Sequence, residues 1–182
     1  MKPAARLTRS GWLQLGLSAL AADGPDALTL EALCERANKT RGSFYHHFPS
    51  IDDYLEQMML EWRRTHTDSL IEATSNGPNP AARLDQLNTL ATRLDPHIEQ
   101  GIRQLAARNG VARRVLKEVD TARIAYLAQL YNQSGRFTDT EALALAKIEY
   151  AAFVGMQIVF PDDGPETRLK LYRDFLKLTG RP

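Results

Sequence analysis

Signals that start and stop helices recur along the chain of 182 residues, and they constrain its fold more than any other feature. Seven residues fit the beginning of a helix, either as a hydroxyl cap or as a proline in the first turn. These residues are Thr29, Thr40, Ser50, Thr138, Pro80, Pro96 and Pro165. Segments with strand-like alternation of apolar and polar residues are almost absent. The sequence therefore predicts an all-α fold.

The helix boundaries follow from apolar residues at helical spacing and from glycines such as Gly24, Gly110 and Gly135, which can end a helix. About nine helices are predicted, over residues 8–22, 29–37, 40–47, 50–75, 79–94, 96–108, 111–134, 138–160 and 165–179. We expect a small N-terminal domain over residues 1–49 and a larger helical-bundle domain over residues 50–182. With 43% apolar residues, the chain has enough apolar side chains to bury a core.

The segment over residues 29–50 encodes two short helices separated by a tight turn. Leu33 and Cys34 share an apolar face in the first helix, and Phe44 and Phe48, four residues apart, share one in the second. These faces must pack on each other and on the preceding helix. The N-terminal domain is therefore predicted to contain three helices, the last two forming a helix-turn-helix.

Packing of that kind leaves polar residues at the start of the second short helix facing outwards, where a recognition helix enters the major groove of DNA. The outward group comprises Thr40, Arg41, Ser43, Tyr45 and His46. Gly42 has no side chain, so the backbone can come close to DNA there. The net charge is only +1, but basic residues cluster around this turn and in the N-terminal arm: Lys2, Arg6, Arg9, Arg36, Lys39 and Arg41. We expect this surface to bind double-stranded DNA.

The same segment resembles the TetR/AcrR family of transcriptional regulators, whose members carry a pattern like T-x-x-x-I-A-x-x-A-G-V-S-x-G-T-L-Y-x-Y-F-x-S-K-x-x-L. Thr29, Ala37, Gly42, Tyr45, Phe48, Ser50 and Leu55 match it, with Ser43 for threonine and Phe44 for leucine. Asn38 stands where the family often has glycine, and Ile51 where a phosphate-binding lysine is common, a role that Lys39 could take. The predicted DNA-binding residues are Thr29, Lys39, Thr40, Arg41, Gly42, Ser43, Tyr45 and His46.

The resemblance also implies that the second domain binds a small-molecule effector. In the helix over residues 50–75, Met58, Met59, Trp62 and His66 share one face. Adaptable apolar groups with isolated polar ones suit a pocket, although such a stripe is also typical of a plain core. The residues predicted to bind the effector are Met59, Trp62, His66, Tyr126, Phe153 and Gln157.

The last two predicted helices are apolar on more than one side, which favours a contact between subunits. In the resembled family these helices form a four-helix bundle with those of the second subunit. The alternative is that both lie deep in the core of the monomer. The residues predicted for a homodimer interface are Tyr150, Val154, Ile158, Tyr172 and Phe175. Two-fold symmetry then predicts a pseudo-palindromic operator, from which the effector releases a repressor.

Two other functional classes are alternatives for an all-α chain, a small enzyme and a helical adaptor that binds only proteins. The sequence contains no nucleophile elbow, zinc-protease motif, phosphate loop or dinucleotide fingerprint, and we expect no metal or cofactor. An adaptor would not explain the donor-rich residues 38–46. The single cysteine, Cys34, cannot form an intrachain disulfide, and we expect no membrane-spanning segment and a cytoplasmic location.

Overall fold

The computed structural model describes residues 7–178, and all of the regular structure in that range is helical. In chain order the elements are α1 (Arg9–Asp23), a 3₁₀ helix (Pro25–Ala27), α2 (Leu30–Ala37), α3 (Arg41–Tyr45), α4 (Ile51–Arg63), a π-helical segment (Arg64–Asp68), α5 (Ser69–Thr74), α6 (Pro80–Ala91), α7 (Pro96–Arg108), α8 (Gly110–Gln133), α9 (Asp139–Val159) and α10 (Pro165–Leu178). The predicted all-α class is confirmed. Because α4, the π-helical segment and α5 follow one another without a break, they correspond to the single helix predicted over residues 50–75.

Most helices begin where the capping chemistry predicted. The hydroxyls of Thr29, Thr40 and Ser50 each accept a hydrogen bond from the backbone amide three residues later in the chain. The distances are 3.2, 3.3 and 3.0 Å, respectively. At α9, the Thr138 hydroxyl accepts from the Glu141 amide while the Thr138 amide donates to the Glu141 carboxylate at 2.8 Å. The Thr138 hydroxyl also donates to this carboxylate at 2.8 Å, and the two hydrogen bonds that the carboxylate accepts, first the one from the amide, lower the pKa of Glu141. The helices α6, α7 and α10 begin at the predicted prolines.

One local prediction was wrong, and one local feature was not predicted. Gly110 does not end a helix but is the first residue of α8, because the side chain of Asn109 accepts a hydrogen bond from the Ala112 amide at 2.9 Å. The π-helical segment was not predicted. Because its turn is wider than that of an α-helix, the residue that is buried after Trp62 comes one position later in the chain than helical spacing predicts. Thr67, five residues after Trp62 and 2% exposed, takes the buried place expected of His66, which is only half-buried.

The expectation that no segment could span a membrane also needs correction for one helix. By length and composition alone, α9 is long and apolar enough to cross a bilayer. Its inner face nevertheless carries the fully buried carboxylate of Glu149, which accepts a hydrogen bond from the Tyr172 hydroxyl of α10. A buried polar pair of this kind is typical of a helix packed within a folded domain.

The helices form two compact units. The first consists of residues up to Trp62 together with His97–Leu116, and the second of Arg63–Pro96 together with the chain from Lys117 onward. Fully buried side chains of the first unit are Trp12, Leu17, Leu20, Leu33, Phe44, Phe48, Tyr54, Met58, Met59, Trp62 and Ile102. A core cluster in the second unit contains Leu127, Tyr131, Ala142, Ala146 and Tyr150. The predicted division of function between residues 1–49 and 50–182 remains a proposal.

Within the first unit, α1 and α4 approach closely at Gly16. A Cβ atom at this position would overlap the hydroxyl oxygen of Tyr54 and lie 2.9 Å from Sδ of Met58. The Tyr54 hydroxyl donates a hydrogen bond to the carbonyl oxygen of Trp12 at 2.8 Å. Burial raises the pKa of Tyr54, so its phenol stays protonated and keeps this donor role. Only glycine at position 16 leaves room for this contact.

We predict that Gly16→Ala destabilises the first unit by about 1–3 kcal/mol, because the added methyl group must displace Tyr54 from its buried position. Thermal unfolding followed by circular dichroism measures the loss. The matched control is Gly110→Ala, which adds the same methyl group to a helix of the same unit with no atom within 4 Å. A Gly16→Ala protein that melts at or above the wild-type temperature would contradict the close contact.

Candidate DNA interface

The turn between α2 and α3 depends on Asn38. This residue adopts the left-handed conformation with φ 48°, and it is the only non-glycine residue in the described range with positive φ. The Asn38 amide donates to the Glu35 carbonyl and the Lys39 amide to the Cys34 carbonyl, both at 2.9 Å. Asparagine is one of the few residues that tolerate this conformation. The substitution for the glycine common in the resembled pattern therefore preserves the turn.

The helix α3 is oriented by one buried side chain. Phe44 is fully buried, and its ring centroid lies 5.4 Å from that of Trp12, 5.3 Å from that of Phe48 and 5.2 Å from that of Tyr54. A helix of five residues has too few hydrogen bonds to be stable alone. The aromatic contacts therefore determine which face of α3 points to solvent.

The residues predicted to bind DNA lie on or beside that solvent-facing surface. Thr29, Thr40, Arg41, Gly42, Tyr45 and His46 are exposed, and Lys39 and Ser43 are half-buried. Tyr45 is 50% exposed, and its ring makes an edge-to-face contact with that of Phe44, with 5.7 Å between the centroids. A Cβ atom on Gly42 would meet only the Thr40 hydroxyl, at 3.7 Å, so the fold does not require glycine there.

The sequence did not reveal that basic residues near the turn already have acidic partners. Arg41 forms an ion pair with Glu31 at 2.5 Å, and Arg36 forms one with Asp23. Helical periodicity cannot predict these pairs, because each of them joins side chains of two different helices. In the N-terminal region, the Arg9 guanidinium lies 5.1 Å from the centroid of the Phe48 ring. Lys2 and Arg6 of the predicted basic arm lie outside the described residues.

This arrangement of three helices and a tight turn has close counterparts among known proteins. Residues 13–58 match the family model of bacterial regulatory proteins of the tetR family. The matched range contains the turn at Asn38, all of α3 and the buried rings of Phe44, Phe48 and Tyr54. Over these residues the chain is similar to the TetR family, whose model describes the DNA-binding end of bacterial regulatory proteins.

Solved structures show the TetR fold over nearly the whole chain. A TetR transcriptional regulator from Legionella pneumophila superposes with a TM-score of 0.77 at 19% identity, covering 98% of this chain and 99% of that one. The MbdR regulator from Azoarcus sp. CIB gives 0.75 at 21% identity, with 93% and 97% covered. The ketosteroid regulator KstR2 of Mycobacterium tuberculosis gives 0.61 at 16%, with 97% and 94% covered. No curated protein matches the sequence.

The six residues predicted to bind an effector are divided between the two units of the chain. Met59 and Trp62 are fully buried in the first unit. In the second, the Tyr126 hydroxyl lies 2.8 Å from the Thr74 hydroxyl, and Gln157 is buried. Phe153 is half-buried, with its ring centroid 6.2 Å from that of Tyr172, and His66 lies in the π-helical segment. Their effector role stays a prediction.

A polar network that the sequence did not predict holds the π-helical segment. Arg123 of α8 donates hydrogen bonds to the Thr67 hydroxyl at 3.0 Å and to the His66 carbonyl at 3.2 Å. It also donates to the Tyr150 hydroxyl at 3.1 Å, which in turn donates to Asp120 at 2.6 Å. π-Helical turns are rare and frequent at functional sites. Within the second unit, the network thus joins this segment to α8 and α9.

The residues predicted for the homodimer interface differ in exposure. Tyr150 and Tyr172 are buried within the second unit, where both hydroxyls are hydrogen-bonded. Val154 and Phe175 are half-buried, and Ile158 is 48% exposed. Other large apolar residues exposed on α9 or directly after it are Leu143, Ile148, Val159 and Phe160. The dimer interface itself remains a prediction.

Proposed function

We propose that the chain is a cytoplasmic transcriptional repressor that binds a pseudo-palindromic operator as a homodimer and leaves it when a small-molecule effector binds. The observation that carries the DNA-binding part is the exposed face of α3, which presents Thr40, Arg41 and Gly42 at its N-terminal end and Tyr45 at its C-terminal end. The remaining parts of the proposal rest on the exposed face of α9 and on the family resemblance.

The exposed group has the chemistry needed to read a duplex. A guanidinium such as that of Arg41 can donate two hydrogen bonds to guanine, and a tyrosine hydroxyl can donate to a phosphate oxygen. The first amides of α2 and α3, behind Thr29 and Thr40, add the partial positive charge of two helix N-termini. Without a side chain, Gly42 allows the backbone of α3 to approach the groove.

We predict that Arg41→Ala and Tyr45→Ala each weaken operator binding by about 1–3 kcal/mol. Both side chains are exposed, so thermal stability should change by less than about 0.5 kcal/mol. Fluorescence anisotropy with a duplex selected by the wild-type protein from a random library measures the affinity. The contrasting control is Phe44→Ala, which should destabilise the first unit by about 3–5 kcal/mol. Wild-type affinity in both surface variants would refute the assignment.

A second copy of the chain suits the outer face of α9. Ile148, Ala151, Gly155 and Ile158 follow each other at intervals of three or four residues and therefore form one stripe. Ile148 and Ile158 are exposed, and a Cβ atom on Gly155 would have no neighbour within 4 Å. Small residues between larger apolar ones allow two helices to approach closely. In a two-fold dimer the same patch is used by both subunits, so one apolar stripe suffices.

We predict that Ile158→Asp converts a wild-type dimer into monomers, because an unpaired carboxylate is costly to bury in an apolar interface. Light scattering at micromolar concentration gives the molar mass directly. The control is Leu60→Asp, which places the same charge at an exposed leucine of α4 and should leave the dimer intact. A monomeric wild-type protein, or a dimeric Ile158→Asp variant, would count against this interface.

The effector part of the proposal places an apolar small molecule against Trp62. Its support is that Met59 and Trp62 are large, fully buried apolar side chains on one helix, of the kind that line apolar pockets. An effector can release DNA only if it prefers the conformation that binds DNA poorly. Its effect on DNA affinity then equals the effect of DNA on its own affinity.

The two tryptophans of the chain, Trp12 and Trp62, allow a direct test because both are fully buried. In the Trp12→Phe variant, Trp62 is the only tryptophan that emits. We predict that compounds from a panel of apolar small molecules that release the operator also change the emission of this variant. In Trp62→Phe, with Trp12 as the reporter, the same compounds should leave the emission unchanged. Operator release without a change in Trp62 emission would contradict the proposed contact.

A further inference from the structure

The ion pair between Glu31 and Arg41 lies within the surface proposed to bind DNA. Glu31 is the second residue of α2, and Arg41 is the first residue of α3. The Arg41 Nη2 atom and the Glu31 Oε1 atom are 2.5 Å apart, while the two side chains are 65% and 62% exposed. A carboxylate therefore stands beside the arginine best placed to enter the major groove.

The fold does not explain this pair. Ion pairs between exposed side chains contribute little to folding, because water screens the charges and both side chains lose mobility. A carboxylate at this place also opposes DNA binding, since it repels the phosphates that a basic surface would attract. Glu31 lies in the first turn of α2, where a carboxylate suits the helix dipole, but that interaction does not require Arg41 as a partner. The pair itself therefore needs another account.

The shape of the Arg41 guanidinium group offers an explanation for the ion pair. The group has five N–H donors in a rigid plane, and Glu31 engages the donors at Nη2. The donors that remain can still form the paired hydrogen bonds that read the O6 and N7 atoms of guanine. An arginine held in this way cannot turn freely towards the nearest phosphate. It therefore makes fewer contacts that are independent of sequence, while its hydrogen bonds to a guanine base remain possible.

We propose that Glu31 is a specificity-determining residue, which positions Arg41 to read a guanine in each operator half-site and suppresses binding to other DNA. This inference rests on the proposed binding of DNA by α3. Glu31 acts through Arg41, so its removal should change the discrimination between DNA sequences rather than abolish DNA binding.

The test compares a duplex selected from a random library by the wild-type protein with a scrambled duplex of the same composition, at several salt concentrations. Glu31→Gln preserves the shape of the side chain and removes its charge. We expect it to bind the scrambled duplex roughly three- to tenfold more tightly at low salt. The ratio of the two affinities should fall roughly tenfold, with the loss confined to one G·C pair in each half-site when base pairs are changed singly.

Two further variants separate positioning from simple charge. In an Arg41→Ala background, Glu31→Gln should change both affinities by the same factor, because no guanidinium remains to be oriented. Glu56→Gln breaks the ion pair with Arg114 in the same unit and should leave the ratio unchanged. An equal change in both affinities for Glu31→Gln alone, or the same loss of ratio in Glu56→Gln, would overturn the inference. A wild-type protein that selects no duplex would instead overturn the proposed DNA binding on which it rests.

Discussion

The burial of Phe44 among the rings of Trp12, Phe48 and Tyr54 is the interaction on which the DNA-facing surface depends. α3 is too short to hold its own shape, and Phe44 is its fully buried side chain. The ring of Tyr54 can reach that place only because Gly16 lets α4 approach α1. The orientation of the exposed residues on α3 is therefore set by a glycine that lies on a different helix.

Features that depend on neighbouring residues could be predicted from the sequence. The caps at Thr29, Thr40 and Thr138 form because a hydroxyl meets an amide three residues ahead, whatever the rest of the fold does. The helix-turn-helix was predictable for a related reason, since the spacing of Phe44 and Phe48 indicates one buried face. Exposure of Arg41 and Tyr45 followed from that burial.

Features that depend on which distant residues meet could not be predicted in the same way. Apolar periodicity identified the faces of α9 and α10 but not their partners, so it could not predict that the Tyr150 hydroxyl donates to Asp120 and the Tyr172 hydroxyl to Glu149. The pair formed by Glu31 and Arg41 bridges a turn whose geometry depends on the left-handed Asn38. The π-helical segment depends on Arg123, which is 56 residues from Thr67 in the chain.

The π-helical segment also affects how this chain should be aligned with other sequences. It makes room for one residue more than an unbroken α-helix would hold between the buried positions Trp62 and Thr67. A homologue with a regular helix needs one residue fewer here to keep the flanking side chains in register. An alignment without a gap at residues 64–68 would rotate every later side chain of this helix by about 100° relative to its true counterpart.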